Sequence, residues 1–575
     1  MLERPLAVAL TALLLAGASP AQPWMNAAPA RGTRAMVATE QHYATQAGVD
    51  ILRRGGNAVD AAIAVGYALA VVDPCCGNIG GGGFMLVRMH DGRERFIDFR
   101  EKAPLRAGPR MFLDASGNVI PHASTKGYLA VGVPGTVLGF ERARAEFATL
   151  ARATLMAPAI ALAQRGFIVG PGDAAVFASA EADAAGSPFT FRGQPNVRAI
   201  FVKHGHLPQA GELLRQPQLA ATLRLIAQGG APAFYDGPIA QAIVKAGYRE
   251  GGMLSMEDFK RYSVDEPAPV HCSYRGYLVT SAPPPSSGGV TLCELLNVLS
   301  AYPLHGWGWH SAQSAHYAIE AERRAFADRN AYLGDPAFVR NPVAALLSDE
   351  YAAKLRASIA PDKATPSVDV RPGLGEVARE NEETTHYSIV DKWGNAVAVT
   401  YTINDAFGAG VIAGDTGFFL NDEMDDFTSK PGVPNMFGLV QGARNEIEPG
   451  KRPLSSMTPT ILTKKGKLFM VTGSPGGPRI ITTVLSTIQN VIDYGMNVQQ
   501  AVDAPRIHMQ WLPDEVQIEP GALNSPTMAA LRAMGYTFKQ IPSWGSAQAI
   551  VIDPQNGVRL GGSDRRRASG LAAGY

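Results

Sequence analysis

Two threonines, Thr384 and Thr385, open a run that continues as HYSIVDKWGNAVAVTYTIN and carries Thr402 and Asn404 at its far end. A threonine hydroxyl is a poor nucleophile near neutral pH and attacks a carbonyl only with a base beside it. Further on stand the carboxylates of NDEMDDF (421–427), the paired serines of KRPLSSMTPT (451–460) and the glycines of TGSPGGPRIITT (472–483). Arg100 lies far upstream in FIDFREKAP (96–104). Gly476-Gly477 precede Pro478-Arg479 at a predicted helix start, where backbone N–H groups point outward beside the positive helix end. Hydroxyl, donor loop and charged side chains are the parts that acyl transfer needs. Alone, each has a plainer reading: a hairpin, a β-branched strand residue at Thr402, a glycine turn.

The elements that must position these residues alternate along the chain. His386 to Val390 and Ala396 to Tyr401 read as two strands around the tight turn Asp391-Lys392-Trp393-Gly394-Asn395. Thr45 to Arg54 and Ala58 to Val72 read as helices, the first stopped by Gly55-Gly56 and the second capped by Asn57. Met85 to Val87 and Phe96 to Asp98 read as strands flanking the Asp91-Gly92 turn. From about 138 to 360 amphipathic helical patterns dominate, for example Ala312 to Asn330. After 384 strands prevail, followed by helices from Arg479 to about Tyr494 and from Val498. Helices, then strands, then helices suit sheets covered on both faces, an α/β class.

The ordered set of motifs resembles the γ-glutamyltransferase (γ-glutamyl transpeptidase) family of N-terminal-nucleophile hydrolases. It extends upstream through NIGGGGFML (78–86), FIDFREKAP, VPGTV (133–137) and APPPSSGG (282–289), so it covers nearly all of the chain after the leader. The resemblance implies a four-layer αββα sandwich. It also implies self-cleavage between Glu383 and Thr384, which gives a large subunit (22–383) and a small subunit (384–575) that stay associated. The new N-terminal threonine then carries its own base, an α-amino group with a reference pKa of about 7.7–8.0. Thr385 is the rival nucleophile, and the family motif favours the first of the pair.

The remaining roles are likewise implied by the resemblance. Thr402 orients and supports the nucleophile, and Gly476 and Gly477 form the oxyanion hole. Arg100 offers a planar fork to the α-carboxylate of a γ-glutamyl group, with Ser455 and Ser456 as neutral donors to it. Glu423 and Asp426 hold the α-ammonium, with an amide from Asn404. Opposite charges on two sides of a pocket are therefore expected, and Asp425 is expected to be structural. Pro431 to Lys451 matches a lid loop, and Phe437 falls where several relatives carry a tyrosine gate. The implied activity is transfer of the γ-glutamyl group of donors such as glutathione, through an ester on Thr384, to water, amino acids or peptides. No cofactor or metal is implied. A glutaryl-type β-lactam (cephalosporin) acylase of the same fold is the alternative enzyme, and an unprocessed, non-catalytic binding protein is the alternative outside catalysis.

Composition bounds these readings. The chain has 575 residues, of which 46% are hydrophobic, enough for a large core. Lys plus Arg is 52 against 51 for Asp plus Glu, a balance without the bias of a nucleic-acid or membrane-surface binder. Arg4, the apolar run Leu6 to Gly17 and the small residues Ser19-Pro20-Ala21 read as an export signal over 1–21, which points to the periplasm or secretion, with an uncleaved anchor as the other reading. Gly80 to Gly83 lacks dinucleotide-loop spacing, Gly473-Ser474-Pro475 is not a nucleophile elbow, and no paired-histidine metal motif occurs. His305, His310 and His316 are expected to be structural. Cys272 and Cys293 are a conceivable disulfide, whereas the adjacent Cys75 and Cys76 are not expected to bridge each other.

Overall fold

The computed structural model describes residues 23–373, 384–430 and 443–575. The expected leader over 1–21, Glu383 and residues 431–442 of the expected lid, Phe437 among them, lie outside the described residues. Two antiparallel sheets stack face to face. One has six strands in the spatial order Leu571–Gly574, Met36–Thr39, Thr385–Val390, Ala396–Thr402, Gly82–Arg88, Glu94–Asp98. The other has seven, in the order Ala30–Gly32, Arg559–Ser563, Gln548–Ile552, Lys467–Gly473, Thr460–Lys464, Tyr277–Ser281, Val270–Tyr274. Both sheets therefore interleave strands from before and after residue 384.

Helices cover the outer faces, completing the four-layer αββα sandwich. His42–Arg53 and Ala58–Val72 pack on the six-stranded sheet, while Gly288–Leu299 and Arg479–Ile492 pack on the seven-stranded one. The central strands are buried along their whole length, because both faces are covered. Alternation then assigns each residue to a layer. Val397, Val399 and Tyr401 join the core under the first helices, and Ala396 and Ala398 join the core on the side of the second sheet. Tyr387 and Tyr401 donate their hydroxyls to Ala62 O (3.0 Å) and Gly66 O (2.9 Å), so these large rings are buried with their polar tips satisfied. Gly66 cannot carry a side chain, since a Cβ there would lie 2.3 Å from Phe140 Cζ.

The helix expected at 58–72 is present with those ends; the strands expected at 85–87, 96–98, 386–390 and 396–401 run over 82–88, 94–98, 385–390 and 396–402, and the helix expected from Arg479 to about Tyr494 ends at Ile492. The first helix begins at His42 instead of Thr45, because the Gln41 side chain accepts a hydrogen bond from Tyr43 N at 2.7 Å and caps it. Asn57 caps the second helix as expected. It accepts from Val59 N and Asp60 N, and Asp60 returns the contact to Asn57 N at 2.8 Å. No helix among the described residues is long and apolar enough to cross a membrane.

Cys272 and Cys293 form a disulfide, joining the Val270–Tyr274 strand to the Gly288–Leu299 helix. The expectation for the other pair is corrected: Cys75 and Cys76 are bonded to each other. They lie in a buried loop held from outside the pair by Phe407 N, which donates to Cys75 O at 2.8 Å. The three histidines have structural partners: His305 meets Asp493 O, His310 meets Ala522 O, and His316 sits between Ala360 O and the Tyr536 hydroxyl.

Asn57 is the cap on which the longest helix of the first layer depends, and its Nδ2 also donates to Phe147 O at 2.7 Å. Asn57→Ala should lower stability by about 1–2 kcal/mol. The check is a urea titration, where the midpoint falls and the slope stays; an unmoved midpoint would rule the cap out as a contributor.

Candidate active site

Thr384 immediately precedes the Thr385–Val390 strand and is buried. The antiparallel register pairs Thr385 with Tyr401, so one step further along the ladder Thr384 faces Thr402. The two hydroxyls are 3.4 Å apart, with Thr384 Oγ1 donating to Thr402 Oγ1. Thr402 Oγ1 also accepts from Asn404 N at 2.9 Å. Asn404 holds a left-handed φ of 74°, which turns the chain off the strand and lets its Nδ2 donate to Asp422 O at 3.1 Å. Asparagine tolerates this conformation better than most residues.

Thr384 also lines a cavity of about 530 Å³ together with Gly476, Pro475, Arg479, Trp544, Glu40, Cys76, Arg566 and Arg567, among others. Gly476 and Gly477 have φ of 127° and 53°, values that side-chain-bearing residues rarely adopt. The turn they make feeds the Arg479–Ile492 helix, with Arg479 N donating to Gly476 O at 3.1 Å.

His386 is two residues from Thr384, and its ring lies between Thr400 Oγ1 (2.8 Å) and Ser388 Oγ (3.1 Å). Burial pushes its pKa down to about 3, so it stays neutral across the physiological range. Gly473 makes room for it, since a Cβ there would lie 2.3 Å from the ring.

The charged residues gather in a buried cluster that is not part of that cavity's lining and is linked to the threonine pair through Asn404, which bonds Thr402 and the Asp422 carbonyl. Arg100 donates to Glu423 Oε1 and to Asp426 Oδ2, and Glu101 Oε2 lies 3.6 Å from the same guanidinium. All four side chains are buried. The expected arrangement, with arginine and carboxylates on opposite sides of a pocket, is corrected to direct contact. Buried charges in a medium of low polarity pair with one another when they can, because an isolated one carries a large desolvation penalty. Burial raises the carboxyl pKa of Glu423 well above its usual range and also raises Asp426, while Arg100 opposes both shifts. Glu101 is pushed up to about 7 by burial.

The turn that carries Glu423 and Asp426 is fixed by Asn421. Its Oδ1 accepts from Glu423 N (3.1 Å) and Gly132 N (2.9 Å), and its Nδ2 donates to Gly80 O at 2.8 Å. NDEMDDF, NIGGGGFML and the segment before VPGTV are thus tied at one side chain. Asp425 accepts from Ser124 Oγ.

Ser455 and Ser456 lie beside the cluster, next to Leu454, whose carbonyl accepts from Arg100 Nη2 at 3.4 Å. The Ser455 carbonyl accepts from the Ser287 hydroxyl at 2.7 Å, and Ser456 Oγ accepts from Arg329 Nη2 at 3.1 Å. Arg329 also donates to Ser287 Oγ at 2.9 Å. Burial lowers its pKa to about 9, with Asp426 opposing. No motif marks Arg329, which stands inside an amphipathic helix. Glu40, Arg567 and Trp544 also carried no sequence signal, because tertiary folding alone brings them to the cavity.

A family model described as gamma-glutamyltranspeptidase matches residues 44–574. The chain is 53% identical to the glutathione hydrolase proenzyme of Pseudomonas sp. (strain A14), over 95% of each chain. It is 47% identical to that of Escherichia coli (strain K12), over 95% of this chain and 93% of the relative. A cephalosporin acylase from Bacillus halodurans superposes with a TM-score of 0.85 at 29% identity, covering 98% of this chain and 99% of that one. The family match over residues 44–574 and relatives 53% and 47% identical over nearly the whole chain show that the chain belongs to the γ-glutamyltranspeptidase family.

Proposed function

We propose that the protein matures by cleavage ahead of Thr384 and then transfers γ-glutamyl groups from glutathione and related donors to water, amino acids or peptides. The observation that carries this reading is the Thr384–Thr402 hydroxyl pair at the wall of a cavity shared with Gly476, beside a buried Arg100–Glu423–Asp426 cluster. In maturation the Thr384 hydroxyl attacks the Glu383 carbonyl, and hydrolysis of the resulting ester frees the Thr384 amine. In catalysis that amine takes the Thr384 hydroxyl proton as the oxygen attacks the γ-carbonyl of the donor. Thr402 orients the nucleophile, and the N–H groups of Gly476 and Gly477 face the oxyanion. The donor's own amine then departs, taking the proton from the Thr384 ammonium, and water or an acceptor amine resolves the ester.

The cluster supports an α-amino-acid head as the recognised group. Such a head is a zwitterion, so its carboxylate can take over the fork of Arg100, with Ser455 and Ser456 beside it. Its ammonium can take over Glu423 and Asp426, with Asn404 at hand. The exchange keeps every buried charge paired, which a singly charged ligand could not do. The likeness to a cephalosporin acylase favours a second reading, acylase activity on glutaryl groups. Asp426, buried and charge-paired, weighs against it, since a glutaryl chain brings no ammonium. The leader over 1–21 supports export to the periplasm or beyond.

Variants at three positions test the reading. Thr384→Ala should block both maturation and turnover, since one hydroxyl serves both, while Thr384→Ser should keep some of each. Denaturing electrophoresis and a γ-glutamyl-p-nitroanilide assay read the two steps, and a cleaved, active Thr384→Ala protein would sink the assignment. Arg100→Lys keeps the charge but loses the two-pronged geometry. Its kcat/KM for glutathione should fall by about one to two orders of magnitude, the equivalent of about 1.5–3 kcal/mol; an unchanged value in matured enzyme removes the carboxylate role. Asp426→Asn should shift the ratio of kcat/KM for γ-glutamyl- over glutaryl-p-nitroanilide toward glutaryl. A constant ratio means that Asp426 does not read the amino group.

A further inference from the structure

The bonded pair Cys75–Cys76 follows the Ala58–Val72 helix, and Cys76 shares the wall of the catalytic cavity with Thr384. Cys272–Cys293, by contrast, is not among the residues lining that cavity. Arg567 anchors the pair. Its Nη2 lies 3.0 Å from Cys76 Sγ, 3.3 Å from Cys75 Sγ and 2.9 Å from Asp73 Oδ1. Its Nε lies 3.3 Å from Glu40 Oε2, and Glu40 Oε1 accepts from His386 N at 3.1 Å. One guanidinium thus connects the sulfurs to the backbone two residues beyond Thr384.

We propose that Cys76 is a thiol-exchange site in the wall of the catalytic cavity, where a low-molecular-weight thiol peptide forms a mixed disulfide and slows the enzyme. The source of the thiol rests on the γ-glutamyl reading above: cleavage of glutathione releases such a peptide into this cavity. The peptide thiolate attacks Cys76 Sγ, the Cys75–Cys76 bond breaks, and its electron pair leaves on Cys75 Sγ. The nearby guanidinium favours a departing thiolate. The proton that the peptide thiol gives up is the one that Cys75 takes up, so the exchange needs no other proton source. A second thiol peptide attacking the adduct releases the peptide disulfide and leaves Cys76 as a thiol. Two thiols are then oxidised and one protein disulfide is reduced.

Either product disturbs the site. The adduct places a peptide in the cavity that the donor's leaving group must use. The open pair withdraws both sulfurs from their fixed positions against Arg567, and Arg567 and Glu40 hold the strand that begins beside Thr384. Attack of the Cys75 thiolate on the adduct expels the peptide thiolate, and exchange with a peptide disulfide oxidises the open pair; either re-forms the Cys75–Cys76 bond and restores the wall, so the site couples turnover to the thiol content of its surroundings.

The test uses matured enzyme and N-acetyl-cysteinylglycine, whose blocked amine cannot act as an acceptor, with N-acetyl-serylglycine as the control. Mass spectrometry of the peptide containing Cys75 and Cys76 measures adduct and free thiol. Turnover of γ-glutamyl-p-nitroanilide, whose products carry no thiol, is read from the same samples. The kcat/KM should fall about tenfold or more in step with opening of the pair, since displacements of about 1 Å near reacting atoms cost up to about 10²-fold. It should recover when the thiol is removed and the pair is closed by exchange with the disulfide of the same peptide, and be indifferent to the serine control. Cys75→Ala/Cys76→Ala enzyme should show no thiol response. Absence of an adduct at Cys76, or full activity with the pair opened, overturns the proposal. If the double variant does not fold, the relation of adduct to rate in the wild type decides. Failure of the untreated enzyme to turn over any γ-glutamyl donor would instead count against the proposed function.

Discussion

The hydroxyl pair at the centre of the site depends on one register, the antiparallel pairing that sets Thr385 opposite Tyr401. It brings the Thr402 hydroxyl to 3.4 Å from that of Thr384. In a strand with period two, a slip of one residue would turn every side chain to the opposite face. Tyr387 and Tyr401 would leave the helix backbone that accepts their hydroxyls, and Ala396 and Ala398 would meet the wrong layer. Burial on both faces makes any such slip costly, so the packing of two cores holds a hydroxyl pair that packing itself does not need.

The charged cluster is governed by a different constraint. Arg100, Glu423 and Asp426 are taken from water together, and their mutual attraction offsets part of that loss. The segments that bring them there are tied through Asn421, whose single amide bonds three stretches of chain. A site of this kind is rigid in its backbone and exchangeable in its charge contacts. That combination suits recognition of a ligand carrying both signs of charge.

Local signals made part of this legible in the sequence. The helix at 58–72 announces itself because Gly55-Gly56 and Asn57 punctuate a continuous apolar run, and the hairpin at 385–402 because alternation surrounds a turn. The earlier start at His42 was hidden, since glutamine is an uncommon cap. The order of the sheets is not written locally: Thr460–Lys464 pairs with Tyr277–Ser281 across a long stretch of sequence. Arg329, Glu40 and Arg567 were missed for the same reason, as each reaches the site only through tertiary packing. The opposing charges of the cluster were identifiable by type, but their direct contact follows from burial. The Cys75–Cys76 bond contradicts a local preference, which the buried loop around it outweighs.

Interleaving of strands from the two sides of residue 384 has a consequence for the thermodynamics of the mature molecule. Before a cut at that point, folding is a unimolecular event whose equilibrium is independent of concentration. After the proposed cut each sheet would be built from two chains. Unfolding would then release two fragments, and refolding would become bimolecular and concentration-dependent. The lifetime of such a two-chain form would be set by its barrier to opening, and its persistence would become a kinetic property.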